Sequence, residues 1–425
     1  LANRSIKGFE DFSTLVPNFN VVRTPGAQAI FMRGIGSGPG SPSLDQSVVM
    51  FVDGIYGGRA RQFMTPFLDV QRIEVLVGKN TSAGAISIVS ARPTDKLEAR
   101  LGAEYDFDLE GPTLDAVVSG PVTENFGLRL AARYQDIDGY IRNSLTGHDE
   151  PLRDEKAGRL TAVYEIGNFT ITGKAEIAKL RLDGNPIQVF SARINRPIDY
   201  NKETKSVLGP DFDTNESKTG VLTVDWQLGD FTLTSITGYS KYETREGVDA
   251  DFFERDLAYS RFDEDFSQTS QELRLLSPTG GRFEYVVGAY WHHNDLLELR
   301  TTATTFAPAG NTIRFFDQGS STVSAYTQAT WNVSPQFAAV LGLRYTKEDK
   351  DASYIRIGGA NSTTTGVGTV QASFADSVSE GEVDPALSLQ WRPDGDHMIY
   401  GSYSQGSKSG GFQGAISNAT PAAFK

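Results

Sequence analysis

From Leu97 onward, apolar and polar residues alternate one by one. Leu101, Ala103, Tyr105 and Phe107 fall on one side of an extended chain, and Gly102, Glu104, Asp106 and Asp108 on the other. Phe126, Leu128, Leu130, Ala132 and Tyr134 alternate with Gly127, Arg129, Ala131, Arg133 and Gln135. Phe169, Ile171, Gly173, Ala175 and Ile177 oppose Thr170, Thr172, Lys174 and Glu176. The pattern returns at 222–228, 231–239, 273–275, 285–291, 323–333, 337–345, 387–391 and 398–403. Successive strand side chains point to opposite faces, so each stretch predicts a strand with one apolar face, about 13 of them after Leu97. Their length, roughly 9–12 residues, is what a tilted strand needs to cross a bilayer.

The connectors carry a second signal. Short turns (165–169, 228–231, 277–282, 333–336, 392–396) take turns with long polar stretches (183–215, 244–265, 301–318, 351–379). Short turns on one rim and long loops on the other are the pattern of an outer-membrane β-barrel. Trp226, Trp291, Trp331, Trp391, Tyr239, Tyr345 and Tyr403 fall near strand ends, as interfacial girdles require. A soluble β-sandwich would also bury aromatics, but its strands are shorter and its loops less asymmetric. The expected fold class is thus a transmembrane antiparallel β-barrel over residues 97–425.

Before Leu97 the texture differs. Phe9, Phe12, Leu15 and Val16 have helical spacing that Pro17 ends, and 18–22 looks extended. Residues 30–93 alternate brief strands with Gly-rich turns. The apolar run 48–52 is closed by Asp53-Gly54, a strong hairpin signal, and 73–77 and 85–89 are further candidate strands. Residues 1–96 read as one small α+β domain that sits within the barrel wall.

Composition narrows the chemistry. The 425 residues include 43 Gly, 16 Tyr and 25 Phe, which suits strands and tight turns. A net charge of −13 argues against nucleic acid. With no Cys there is no thiol nucleophile and no Cys zinc site. No apolar run is long enough for a membrane-spanning helix, a test that leaves a barrel untouched. Gly78-Lys79-Asn80-Thr81 fails the phosphate-loop spacing, because Ile73 stands where the first Gly belongs. His292 and His293 are adjacent, so on a strand they diverge and share no metal. No nucleophile elbow occurs. The expectation is no enzyme, no cofactor and no metal.

Four ordered motifs, and one late stretch, then resemble a known family. They are Phe31-Met32-Arg33-Gly34-Ile35-Gly36, Val52-Asp53-Gly54-Ile55-Tyr56, Asp69-Val70-Gln71-Arg72-Ile73-Glu74-Val75-Leu76 and Gly78-Lys79-Asn80-Thr81-Ser82-Ala83-Gly84-Ala85-Ile86. The late stretch is Tyr400-Gly401-Ser402-Tyr403-Ser404-Gln405-Gly406, running to Phe412. Together they resemble the TonB-dependent outer-membrane receptors, which pair an N-terminal plug with a 22-stranded barrel. An Arg-Gly-Pro-x-Gly element usual in that family is missing at Leu76-Val77-Gly78. Either residues belong there that the sequence does not carry, or the plug has lost the element. Further strands are expected beyond Lys425, since single-chain barrels close on an even count. The N-terminus, which lacks a leader and a TonB box, is expected to be incomplete or processed.

The resemblance implies active import of a scarce nutrient: a ferric siderophore, or another large, anionic, aromatic or saccharide ligand. It implies partners too: TonB with its inner-membrane energising complex, an extracellular small-molecule ligand, and outer-membrane lipid and lipopolysaccharide. The barrel itself is expected to be monomeric, with room for a larger outer-membrane assembly. The alternative is a non-transporting scaffold or signalling receptor of the same fold; a passive channel would need no residues 1–93. Family geometry points Ser37–Ser47 and 56–67 outward as a vestibule floor. There Tyr56, Arg59, Arg61, Gln62, Phe63 and Phe67 would meet an anionic or aromatic ligand, or else only pack the plug. Arg33, Asp53, Arg72 and Glu74 would form either a structural ion-pair network or a plug–barrel latch. Wetted by the lumen, each such pair would contribute about 0–1 kcal/mol.

Overall fold

The computed structural model describes residues 13, 15–24, 27–37, 43, 45–64, 67–77, 84–185, 204–205, 211–250, 258–304, 310–358, 370–394, 396–412 and 423–424. The N-terminal part holds β1 (Phe19–Thr24), β2 (Ala27–Met32), β3 (Ile35–Gly36), β4 (Val48–Val52), β5 (Ile55–Gly57), β6 (Val70–Val77) and β7 (Gly84–Ser90). A 3-10 turn, Ala60–Phe63, follows β5. Strands β1-β2-β3 make one small sheet, and β5-β4-β7-β6 a second. Both tight hairpins rest on two consecutive left-handed residues, Arg33-Gly34 (φ 51° and 77°) and Asp53-Gly54 (φ 51° and 90°). That is the backbone of a type I′ turn, whose twist matches its flanking strands. The small sheets share one core of Phe19, Ile30, Met32, Val48, Met50, Ile86 and Ile88.

The remaining strands are β8 (Glu98–Asp106), β9 (Gly111–Thr123), β10 (Phe126–Ile137), β11 (Ile141–Asn143), β12 (Asp149–Glu150), β13 (Leu152–Ile166), β14 (Phe169–Asp183), β15 (Thr204–Lys205), β16 (Phe212–Leu228) and β17 (Phe231–Asp249). They continue with β18 (Ala258–Leu276), β19 (Phe283–Thr304), β20 (Gly310–Asn332), β21 (Phe337–Gly358), β22 (Val370–Trp391), β23 (Ile399–Ser404), β24 (Gly411–Phe412) and β25 (Ala423–Phe424). Thirteen of these form one sheet, each strand beside its neighbour in sequence apart from the short β11, β12 and β15. Every pairing within it is antiparallel, and the register from β13 to β20 is unbroken.

The two faces of this sheet invert the usual soluble arrangement. Leu341, Leu343 and Tyr345 are about half exposed on the outer face, while Gln318, Ser320, Thr322 and Ser324 are buried on the inner face. A polar interior and an apolar exterior suit lipid outside and water or a polar filling inside. On β21 the outer apolar run is Phe337, Ala339, Leu341, Leu343 and Tyr345; Lys347 and Asp349 then pair at 3.7 Å. The ladder nevertheless runs on to Gly358.

This corrects the expected loops. Strands in the later half of the sheet reach 17–23 residues, and much of 244–265, 301–318 and 351–379 is paired strand rather than loop. Beyond the membrane the outer face need not be apolar, so alternation fades while the hydrogen-bond ladder persists. The helical spacing at 9–16 falls mostly outside the described residues, as do Gly78–Ala83. Strand β6 runs through Val77, and Val77 pairs with Gly84.

Candidate functional site at the junction of the inner sheets and the wall

Polar side chains of the N-terminal part meet the inner face of the large sheet. Asp53 sits in the β4–β5 turn, where its backbone N–H donates to the Ile88 carbonyl at 2.9 Å. Its carboxylate accepts from the Ser90 N–H (2.9 Å) and hydroxyl (2.7 Å) and from Lys174 Nζ on β14 at 2.6 Å. Burial opposes ionisation of Asp53, but the Lys174 charge and these hydrogen bonds outweigh it and hold the carboxyl below its usual range. A cavity of about 40 Å³, lined in part by Asp53, Lys174, Gln62, Arg159, Glu176 and Ser240, adjoins the pair. It has room for on the order of two or three waters.

The segment after β5 is fastened as well. Arg59 Nη2 lies 3.1 Å from Glu264 Oε1, and its Nε donates to the Tyr242 hydroxyl at 3.4 Å. Tyr242 donates in turn to Glu264. Arg61 Nη2 pairs with Glu246 at 2.5 Å and its Nη1 with Asp213 at 3.6 Å. Gln62 Nε2 donates to Ser240 Oγ at 3.2 Å. Burial works against both guanidinium charges, and the facing carboxylates more than offset it. The Tyr56 ring stacks on His292 at 5.6 Å and meets Phe51 edge-on at 6.0 Å, while its carbonyl accepts from Gln268 at 2.8 Å. Its hydroxyl is pushed well above its ordinary value, first by burial and then by Asp45. Phe67 packs on the N-terminal core. The Phe63 side chain lies outside the described residues, as do residues 38–42, 44, 65 and 66 of the expected vestibule floor.

The sequence-expected groups therefore divide differently in space. Arg59, Arg61 and Gln62 bind wall residues. Of Arg33, Asp53, Arg72 and Glu74, Asp53 alone reaches a wall charge among the described residues. Arg72 and Glu74 pair with each other at 2.8 Å on the exposed face of β6, two residues apart and hence on one side of the strand. Arg33 is exposed and makes no ion pair among the described residues; its place is the left-handed turn position.

The expected weakness of the pairs also needs correction. Asp53 and Lys174 are 8% and 12% exposed, and Arg61 and Glu246 7% and 3%. The pairs lie between sheet and wall, not in open lumen water, so the value for exposed pairs does not apply.

Sequence reasoning missed several fasteners. Arg129 grips Asp69 with two bonds of 2.6 and 2.7 Å. Arg159 donates to the Leu68 carbonyl at 2.7 Å and to Glu176 at 2.6 Å. Lys350 lies 3.5 Å from Asp45. Lys408 donates to Ser37 and Ser47 at 3.2 and 3.1 Å, and Ser43 donates to Gln318 at 2.7 Å. Asp69 opens the third quoted motif, just before its strand, and its charge was the one available signal. Apart from Arg159–Glu176, 17 positions apart, the other pairings join residues 91 to 371 positions apart, which no spacing encodes. His292 and His293 do diverge: His292 faces Tyr56, and His293 faces Ser321 at 2.8 Å.

A sheet apolar outside and polar inside, with small N-terminal sheets ion-paired to its inner face, defines a plugged membrane β-barrel. A family model described as TonB dependent receptor-like, beta-barrel, matches residues 150–424, and the chain belongs to the TonB-dependent receptors. Its place is accordingly the Gram-negative outer membrane. Solved structures share the fold. The ferric yersiniabactin uptake receptor FyuA of Yersinia pestis superposes with a TM-score of 0.85 at 16% identity, over 100% of this chain and 66% of that one. The siderophore receptor PiuA of Acinetobacter baumannii gives 0.73 at 14%, over 94% and 62%. The ferripyoverdine receptor of the Pseudomonas aeruginosa outer membrane gives 0.70 at 14%, over 98% and 57%. The chain thus spans about two thirds or less of the length of these receptors.

Proposed function

We propose that this protein is an energised importer that brings a scarce nutrient across the outer membrane, with TonB as its partner. The supported ligand class is a ferric siderophore or a comparable anionic chelate; three similar structures are receptors for such compounds by name. The observation that carries the reading is the set of buried ion pairs from Asp53, Arg59 and Arg61 to the wall. A passive channel has no use for an N-terminal unit fastened across its lumen.

A latch of buried pairs is still releasable. Bringing two charges out of water costs about as much as their attraction returns, so a pair that separates into water gives up little net free energy. What the pairs supply is register, and a pull that wets both partners together meets a modest barrier. The cavity beside Asp53 leaves room for water next to the pair.

The reading is tested with cells that express the full-length receptor under iron limitation. Labelled ferric-siderophore uptake should stop when the proton gradient is collapsed or TonB is deleted. Uptake that continues unchanged would contradict energised import.

A further inference from the structure

Three arginines of the wall line up across adjacent strands. In the β19–β20 register Arg300 faces Arg314, and in the β20–β21 register Arg314 faces Arg356. All three share the inner face. Arg300 is two turns of alternation above buried Leu296, Arg314 two residues from buried Phe316, and Arg356 two residues from buried Tyr354. The row lies on the part of the strands beyond the outer apolar band, on the side of the long connectors.

Like charges directly opposite on a sheet repel, so such a row normally comes with counter-charges. Here two of the three acids nearby are engaged elsewhere. Glu246 shares the row and holds Arg61; Glu264, one row below, holds Arg59. Glu298, also one row below, makes no ion pair with any of the three among the described residues. The Nε atoms of Arg300, Arg314 and Arg356 are all buried without a hydrogen-bond partner. An orphaned buried donor is costly, and three on neighbouring strands are not an accident of one rotamer.

The surroundings fix the row in place. Arg300 lies over the Phe262 ring at 4.0 Å. Below it, Tyr354 stacks on Phe374 at 5.6 Å and Phe374 on Phe412 at 5.7 Å. This aromatic shelf leaves Arg314 and Arg356 no polar retreat toward the plug.

We propose that Arg300, Arg314 and Arg356 form a binding site for a small polycarboxylate, one guanidinium fork to each carboxylate. The guanidinium plane matches a carboxylate in two parallel bonds. Neighbouring strands are about 4.8 Å apart, so the row spans roughly 10 Å. That span suits two or three carboxylates on one molecule better than a single ion. The proposal rests on the importer reading, naming the chemistry of its ligand, and it moves the ligand's anionic contacts from Arg59 and Arg61 to the wall.

The test is titration calorimetry on the full-length receptor in detergent, with benzene-1,3,5-tricarboxylate, benzoate and inorganic phosphate as probes. The tricarboxylate should bind with an affinity that falls as salt rises. Each of Arg300→Gln, Arg314→Gln and Arg356→Gln should weaken it about tenfold, as expected for a lost charge-assisted bond. Arg282→Gln, in the short turn before β19, should leave it unchanged. Without any probe, Arg314→Gln should melt no lower than wild type, because it relieves repulsion; a structural role would lower the melting temperature. No tricarboxylate binding to wild type, equal binding to the three variants, or benzoate or phosphate binding as tightly would each overturn the proposal. Binding in detergent needs no energy source, so import lost with binding intact counts against the importer reading alone.

Discussion

Asp53 meets two demands with one side chain. Its backbone takes φ 51°, a left-handed turn position that Asp and Asn tolerate better than most residues. Its carboxylate ties β7 through Ser90 and the wall through Lys174. Asp53→Asn keeps the turn and removes the charge, leaving Lys174 buried and unpaired. The expected loss is about 3–5 kcal/mol of plug seating. It would be read as a lower urea concentration for the onset of conductance in a planar bilayer. Replacing Lys174 by Met in the same protein should recover most of the loss. The pH dependence has a definite sign. A carboxyl held below its ordinary value of about 3.9 contributes fully above that value and loses its contribution as pH falls through the folded value. Release by urea should therefore be flat from neutral pH to about 4 and become easier below it, and this acid step should be smaller in Asp53→Asn, where the other plug–wall carboxylates supply the remainder.

At the scale of elements, the short-turn rim repeats one device. Phe169 faces Trp226, Phe283 faces Trp331 and Phe337 faces Trp391 in register. Their rings stack at 5.3, 6.0 and 6.0 Å. Each rung joins two strands at the level where an amphipathic ring suits both lipid and water. Trp331→Leu should lower the stability of the folded barrel by about 1 kcal/mol, the worth of a stacked pair. The check is urea unfolding in lipid vesicles, followed by gel mobility. The Trp girdle was readable in the sequence from position alone. The Phe partner of each Trp was not, because a cross-strand partner depends on register.

At the scale of the whole molecule, the question is what Arg59 does. As a ligand contact its loss would weaken ligand binding and leave the plug seated. As a wall contact its loss strands buried Glu264, at a cost of about 3–5 kcal/mol. Arg59→Gln should thus release the plug at lower urea and leave the tricarboxylate affinity of the folded receptor intact. Lower affinity with unchanged release would restore the ligand role. The plug is held from several sides, by Lys174, Glu264, Glu246, Arg129 and Lys350, so force on one segment need not free the rest.

The sequence by itself determined what depends on neighbours along the chain. Alternation gave the strands and their lipid face, because strand geometry projects successive side chains to opposite sides. Asp53-Gly54 gave its hairpin, because those residues accept positive φ. Ordered motifs gave the family. Only the tertiary structure decided which charge meets which. Arg59, Arg61, Arg72 and Glu74 all carried plausible charge, and sequence could not say that the first two face wall acids while the last two face each other. Nor could it bring Arg300, Arg314 and Arg356 together, since their row exists only through the register of three paired strands.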